Sequence, residues 1–439
     1  MRPRQARPRL LQAMLDAFSL PDLRRRILIT LGILVVFRFV AHVPLPGVDP
    51  DALKQLFQDV PLLGMLDMFS GGALRRFSVA AMGVYPYITA SIIMQLLVPI
   101  IPRLKALSQE GEAGRNTINR ITHWAVVPLA GLQGYGQLIW LQREGVVGSA
   151  AVLPMTTMVL AMVAGTMFCI WLGELITEYG IGNGISIIIF GGIVAGFWEI
   201  AGQGGIEAAR NPFGVAIYFL IALATVVFIV IFTEAHRRIP VQYARSVIRG
   251  GRMYKQSGST HIPLRVNTAG MIPLIFAMSL MMFPGIIASY FANPAGVDPN
   301  LANYIMNLFN PSAALPIGLF YWGFFFLMVV GFAFFYTMVI FEQQDLPGVL
   351  QRQGGFIPGI QPGKHTRNYL NQVITRITWG GALFLALVAI MPFAAREIGS
   401  VQVIQLSSMG LLIVVGVALD TMKQVEAQLV MRRYEGFIK

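Results

Sequence analysis

Ten stretches of this chain each run for about twenty residues with few side chains that are not apolar, the length a helix needs to cross the hydrocarbon core of a bilayer. They lie at residues 27–43, 77–97, 121–141, 152–172, 185–200, 213–232, 269–291, 315–341, 373–393 and 401–419, and glycine, proline and charge clusters mark their ends. Hydrocarbon offers no water to backbone N–H and C=O groups, so each stretch must satisfy them internally as a helix. Composition agrees. With 55% hydrophobic and 12% charged residues over 439 positions, and a mean hydropathy of +0.64, polar side chains are too few to cover a soluble globule of this size. The expected fold class is an all-α polytopic membrane protein of about ten transmembrane helices.

Orientation follows from the Lys and Arg residues, which are retained on the cytoplasmic side when they flank a span. Of the 33, all but Arg38, Lys54, Arg75, Arg76, Arg143, Arg210 and Arg396 fall in alternate segments. Both termini are therefore expected in the cytoplasm. The Arg-rich start leads straight into the first apolar run, which reads as an uncleaved span. The expected organisation is an N-terminal segment (1–26), a first five-helix half (27–200), and a sixth helix with its outer loop (201–233). A cytoplasmic basic loop (234–268), seventh and eighth helices (269–341), a second cytoplasmic loop (342–372), ninth and tenth helices (373–422) and a cytoplasmic tail (423–439) follow. Because five is odd, the second five helices enter the membrane inverted relative to the first, which permits an inverted repeat with a pathway at its interface. The fifth span carries Gly184, Gly191, Gly192 and Gly196, a composition suited to close packing near the centre of a bundle.

The two long cytoplasmic loops read as docking surfaces. The first holds Arg237, Arg238, Arg245, Arg249, Arg252, Lys255 and Arg265 with Tyr243 and Tyr254 interleaved. Topology needs only a few positive charges, so the surplus points to anionic lipid, RNA or an acidic protein patch. The second contains Gly354-Gly355-Phe356-Ile357-Pro358-Gly359-Ile360-Gln361-Pro362-Gly363-Lys364, whose Gly and Pro spacing predicts an ordered turn.

Bond-making chemistry finds little support. The run from Gly359 to Lys364 has three residues between its glycines, places His365 after Lys364, and includes Pro362, so it fails as a phosphate loop. Gly180-Ile181-Gly182-Asn183-Gly184 has no preceding strand to make it a dinucleotide site. His42, His123, His236, His261 and His365 are scattered without metal-ligand spacing, and no cofactor is expected. Cys169 sits in an apolar run as an inert thiol. A coupled transporter keeps carboxylates deep in its spans, yet Glu174, Glu178, Glu199 and Asp420 fall at span ends as interfacial or capping groups. Arg38 lies within reach of a helix end and is expected to snorkel.

Residues 62–94 are the most informative: LLGMLDMFSGGALRRFSVAAMGVYPYITASIIM. Asp67, the break at Ser70-Gly71-Gly72 and Arg75-Arg76 prevent one continuous span, so a short re-entrant element precedes the second helix. Such an element is tolerated only where it lines a cavity or is buried in protein. Ser70-Gly71-Gly72-Ala73-Leu74 is followed by Pro86-Tyr87-Ile88-Thr89-Ala90-Ser91-Ile92-Ile93, then Gly173-Glu174. Next come Gly180-Ile181-Gly182-Asn183-Gly184-Ile185-Ser186-Ile187-Ile188-Ile189-Phe190 and Phe356-Ile357-Pro358-Gly359-Ile360. In that order and over essentially the whole chain, these motifs resemble the SecY family, the channel subunits of the Sec protein-translocation machinery.

The resemblance implies a clamshell of two inverted five-helix halves around an hourglass pore, in the plasma membrane of a bacterium. It implies a plug over residues 62–72 (Leu62, Leu63, Met65, Leu66, Met68, Phe69, Ser70, Gly71, Gly72). It implies a constriction ring of Val84, Ile88, Ile185, Ile189, Ile275 and Ile413, and polar lateral-gate residues Thr89, Gln133 and Asn267. Branched aliphatic side chains can part around any peptide and shut out water and ions afterwards. The implied docking residues are Arg237, Arg238, Arg245, Arg249, Arg252, Lys255, Gln361, Lys364 and Arg367. At Gln361 the family commonly has Arg, which puts that residue's coupling role in doubt. The implied partners are SecE and SecG in the membrane, the SecA motor or a ribosome, signal sequences and unfolded preproteins, and the lipid bilayer. A ten-span secondary transporter of a small solute is the competing reading.

Overall fold

A computed structural model of the chain describes residues 20–59, 63–64, 67, 70–148, 152–210, 212–249, 252–270, 272–289, 291–293, 298–310, 313, 316–399 and 408–435. The elements run α1 (Pro21–Val40), α2 (Pro50–Asp59), a 3-10 turn (Leu74–Arg76), α3 (Tyr85–Ile100), α4 (Pro102–Gln109), α5 (Glu112–Arg143), α6 (Val152–Tyr179), α7 (Gly184–Arg210) and α8 (Pro212–Glu234). Then come β1 (His236–Arg249), β2 (Arg252–Arg265), α9 (Ile272–Ser289), α10 (Leu301–Leu308), α11 (Ile317–Gln344), α12 (Leu346–Arg352), β3 (Gly355–Phe356), α13 (Lys364–Gly399) and α14 (Ser408–Glu435). Each of the ten expected spans overlaps a helix (α1, α3, α5, α6, α7, α8, α9, α11, α13 and α14), with residues 401–407 of the tenth outside the described residues. Taken singly, Val152–Tyr179, Pro212–Glu234, Ile317–Arg352 and Lys364–Met391 are long and apolar enough to cross a membrane. Helices α3 and α4 bend by 97° where Ile101 turns extended ahead of Pro102.

The second span is shorter than expected. Its start at Phe77 is a run of turns, and α3 begins only at Tyr85. Phe77 at φ 42° and Gly83 at φ 51° adopt left-handed backbone that an α-helix cannot contain. Pro86, in the first turn of α3, stands where its missing N–H leaves no bond unmade. The irregular stretch satisfies its backbone against the exit of α1. Leu45 N–H donates to the Phe77 carbonyl at 2.9 Å and Val79 N–H to the Val43 carbonyl at 3.0 Å.

The chain packs as two compact units. The first comprises Met1–Val215, Met282–Tyr321 and Val401–Lys439, so α14 belongs with α1 to α7. Its core joins Leu45, Leu53, Leu63, Leu74, Phe77, Val126, Leu138, Met162 and Ile170. Glycines let the helices approach closely: a Cβ at Gly184 would overlap the carbonyl oxygen of Gly173 on α6, and one at Gly165 the carbonyl oxygen of Val79.

The second unit, Ala216–Met281 with Trp322–Ser400, carries an element the sequence reading did not anticipate. The basic loop folds as an antiparallel hairpin in which His236 pairs with Arg265 and Arg249 with Arg252. β3 of the second cytoplasmic loop adds to it through Gln242–Phe356 and Tyr243–Gly355, giving the order β2-β1-β3. Ile239, Val241 and Leu264 pack with Leu350, Ile357, Leu370 and Val373, so the two loops share one apolar core. Within the helical part of this unit, the rings of Phe232 on α8 and Phe384 on α13 stack at 4.1 Å.

Gly184→Ala is expected to destabilise the α6–α7 contact by about 1–3 kcal/mol through overpacking. Gly196→Ala, where no atom lies within 4 Å of the added carbon, should leave stability unchanged or raise it. Thermal unfolding of the detergent-solubilised protein checks this, and equal midpoints for the two variants would contradict the packing described.

Candidate functional site

Most described residues of the segment between α2 and α3 are buried in protein, Arg75 and Arg76 being the exposed exceptions. Leu63, Gly64, Asp67 and Ser70 are helical, whereas Leu62, Met65, Leu66, Met68 and Phe69 lie outside the described residues. The helix ends at Gly71 (φ 68°) and Gly72 (φ 84°), with Gly72 N–H donating to the Asp67 carbonyl at 3.0 Å. A double-glycine stop of this kind uses backbone torsions that other residues resist. Gly71 lies directly against α7, where a Cβ built on it would meet the Cα of Gly192 at 2.9 Å. Gly192 of the fifth span thus gives way to the re-entrant backbone and Gly184 packs closely on α6, whereas Gly196 has no atom within 4 Å of an added Cβ.

Asp67, only 5% exposed, organises this segment. Its carboxylate accepts from Ser70 Oγ at 3.1 Å, Leu74 N–H at 3.1 Å and Arg75 N–H at 3.2 Å, and pairs with Arg75 Nε at 3.0 Å. Burial pushes this carboxyl above its ordinary range, opposed by the Arg75 charge and the converging donors. Arg38 does not simply snorkel: its Nη1 donates to the carbonyl of Gly71, and the ring of Phe37 lies beside the same glycine. Neither contact was legible from local sequence, although an ionisable residue within a span is a functional candidate by default.

Val84 and Ile88, four residues apart, open α3; Ile185 and Ile189 open α7 with the same spacing; Ile413 lies near the start of α14, which packs on α7. Val84, Ile88, Ile189 and Ile413 are buried. Ile185 is half-buried, with its Cδ1 at 2.8 Å from where a Cβ on Gly173 would stand. Ile275, also half-buried, sits in the first turn of α9 in the second unit. Two of the three polar gate candidates meet: Gln133 Nε2 donates to Thr89 Oγ1 at 3.5 Å, leaving Gln133 Oε1 buried without a partner. Asn267 lies in the second unit, on the approach to α9. On the same helices α3 and α5, the Tyr87 ring lies 5.5 Å from that of His123, whose Nδ1 pairs with Glu174 at 3.1 Å.

On the cytoplasmic body, Arg237 and Arg238 are exposed near the base of the hairpin. Arg245, Arg249, Arg252 and Lys255 are placed by strand register only, with Arg249 and Arg252 facing each other beside the hairpin turn. Gln361 and Lys364 are exposed at the start of α13. Arg367 is engaged: Asp345, a non-glycine residue at φ 39°, caps α12 and holds Arg352 at 3.6 Å and Arg367 at 3.4 Å. Asp345 drew no attention in the sequence, since its partners come from both sides of a turn.

The chain has the fold of solved membrane channels for polypeptides. It matches a solved protein-conducting channel with a TM-score of 0.66 at 16% identity, covering 95% of this chain and 97% of that one. It also matches canine Sec61 from a ribosome–channel complex with a TM-score of 0.64 at 15% identity, covering 97% and 98%. The SecY family model matches residues 78–422. The protein translocase subunit SecY of Streptomyces lividans is 43% identical, covering 98% of this chain and all of the relative. That of Thermus thermophilus is 40% identical, with 98% of each chain covered. The chain belongs to the SecY family.

Gln133→Leu removes a long hydrogen bond together with an orphaned carbonyl. It is expected to leave stability unchanged or raise it by about 1 kcal/mol. A lowered unfolding midpoint would show that Gln133 has a partner the described geometry does not include.

Proposed function

We propose that this chain is the central pore-forming subunit of a protein translocation channel. It passes unfolded secretory proteins across the membrane and releases signal sequences and transmembrane segments sideways into lipid. The observation that carries this reading is the double-glycine stop at Gly71-Gly72, where Gly71 lies against Gly192 one turn beyond Ile189, an arrangement that supports a plug over 62–72. Full-length identity to curated translocase subunits supports the same conclusion, and nothing comparable supports a small-solute carrier.

The aliphatic positions at the openings of α3, α7 and α14, all in the first unit, suit a constriction without a sequence code, open to clients of any composition. Gln133 and Thr89 are polar groups among apolar helices, a weak seam where a signal helix enters. The chain makes and breaks no covalent bond; energy comes from a partner, SecA or a translating ribosome. The sheet of β1, β2 and β3 with its arginines is the docking body, and Gln361 and Lys364 extend it. SecE and SecG are the membrane partners, and both termini face the cytoplasm of a bacterial cell.

Reconstitution with SecE, SecG and SecA tests this reading. ATP-dependent protease protection of an unfolded, signal-bearing preprotein is expected; its failure alongside an active control channel, or uptake of a small solute without partners, would overturn it. In the same vesicles, Ile189→Asn and Ile413→Asn should each increase ion leak and admit preproteins with defective signals. Leak and selectivity unchanged in both would argue against the ring.

A further inference from the structure

We propose that Arg38 and Asp67 are two positioning residues that latch the re-entrant plug shut at a Gly71-Gly72 hinge, Asp67 by bridging the hinge and Arg38 by holding the Gly71 carbonyl within it, so that opening must break both. The inference rests on reading residues 62–72 as a plug, and goes on to name what holds it.

The base of the plug is fixed. Leu74 and Phe77 are buried in the core, and residues 77–79 pair with 43–45 through backbone hydrogen bonds. Motion of the plug relative to this base must therefore occur upstream of Leu74, and the consecutive left-handed glycines Gly71 and Gly72 are the flexible joint available. Asp67 spans that joint. Lying before it, the carboxylate receives the N–H groups of Leu74 and Arg75 and the Arg75 guanidinium, all from beyond it. The joint cannot swing while those bonds persist.

Arg38 holds the joint from outside. It sits in the last turn of α1, whose exit is anchored through the Val43 carbonyl and the Leu45 N–H, and donates to the carbonyl of Gly71 itself. A carbonyl at a helix end has no intrahelical partner, so once the plug occludes it from water, a charged donor is worth more than a neutral one. Phe37 and Gly192 close the remaining sides of Gly71. Because Arg38 grips the hinge at Gly71 and Asp67 grips Leu74 and Arg75 beyond it, either alone still resists opening.

The test uses the full chain with SecE and SecG in proteoliposomes, with ion conductance read without preprotein and preprotein transport read separately with SecA. Arg38→Met keeps the apolar stem and removes the donor; Asp67→Ala removes the clasp. Each should raise idle conductance about tenfold, as expected for loss of a charged hydrogen bond to a buried group, and the pair more than either. Arg38→Lys should restore part of the seal. Arg38→Met introduced into a chain lacking residues 62–72 should add no further leak, an outcome that a purely structural Arg38 would not give. Wild-type conductance in both single variants, or extra leak in the plug-less background, overturns the latch. Transport that persists in those variants leaves the channel reading standing, whereas absent transport by the unmodified chain counts against that reading instead. Should Arg38→Met fail to fold, the Asp67→Ala and Arg38→Lys conductances decide.

Discussion

Everything in this fold follows from the requirement that backbone polar groups be satisfied where water cannot reach them. Helices meet it by themselves; residues 71–84 do not, because they include glycine turns and a left-handed Phe77. Their backbone groups are instead met by Asp67, Ser70, Arg38 and the paired stretch at 43–45. Irregular backbone at the heart of a membrane bundle is thereby held by named bonds that can be exchanged for others. A continuous helix in the same place would be simpler to satisfy, but it would have no joint.

Close approach of backbones is the second condition. Gly71 against Gly192, Gly184 against Gly173 and Gly165 against Val79 put main chains where side chains normally stand. Among helices that gain nothing from hydrophobic transfer into lipid, such contacts carry much of the packing. They also set the openings of α3 and α7 near the re-entrant segment, each with its aliphatic pair. On the cytoplasmic side a different solution operates: an apolar core of Ile239, Val241, Leu350, Ile357 and Leu370 turns two loops into one folded body. Charged side chains can then be presented to a partner from a scaffold that does not have to fold on binding.

The helical fold was legible because apolar length is read directly by the bilayer, and the ten runs needed no tertiary information. The Ser70-Gly71-Gly72 break and the glycine-rich fifth span were legible for similarly local reasons. The hairpin was not. Ile239, Val241 and Tyr243 do alternate, but Pro240 and Pro263 lie within the strands and the surrounding arginines mask the period. Hydropathy also misplaced the start of α3, since an apolar window at 77–84 cannot reveal positive φ values. Arg38 to Gly71 and Asp345 to Arg367 are contacts between residues far apart in sequence, and only the folded chain joins them. The SecY resemblance supplied the ring and gate candidates, and the structure adds what surrounds each of them.

The central claim, that a polypeptide passes alongside the openings of α7 and α14, is tested most directly by photo-crosslinking from within the channel. A photoreactive residue is placed at Ile189, at Ile413 and, as a control, at Phe219, an exposed position on α8. A secretory chain is then arrested midway through translocation. Adducts to that chain are expected from Ile189 and Ile413 and not from Phe219. Adducts from Phe219 alone, or from none of the three while the chain is demonstrably arrested, would contradict the account.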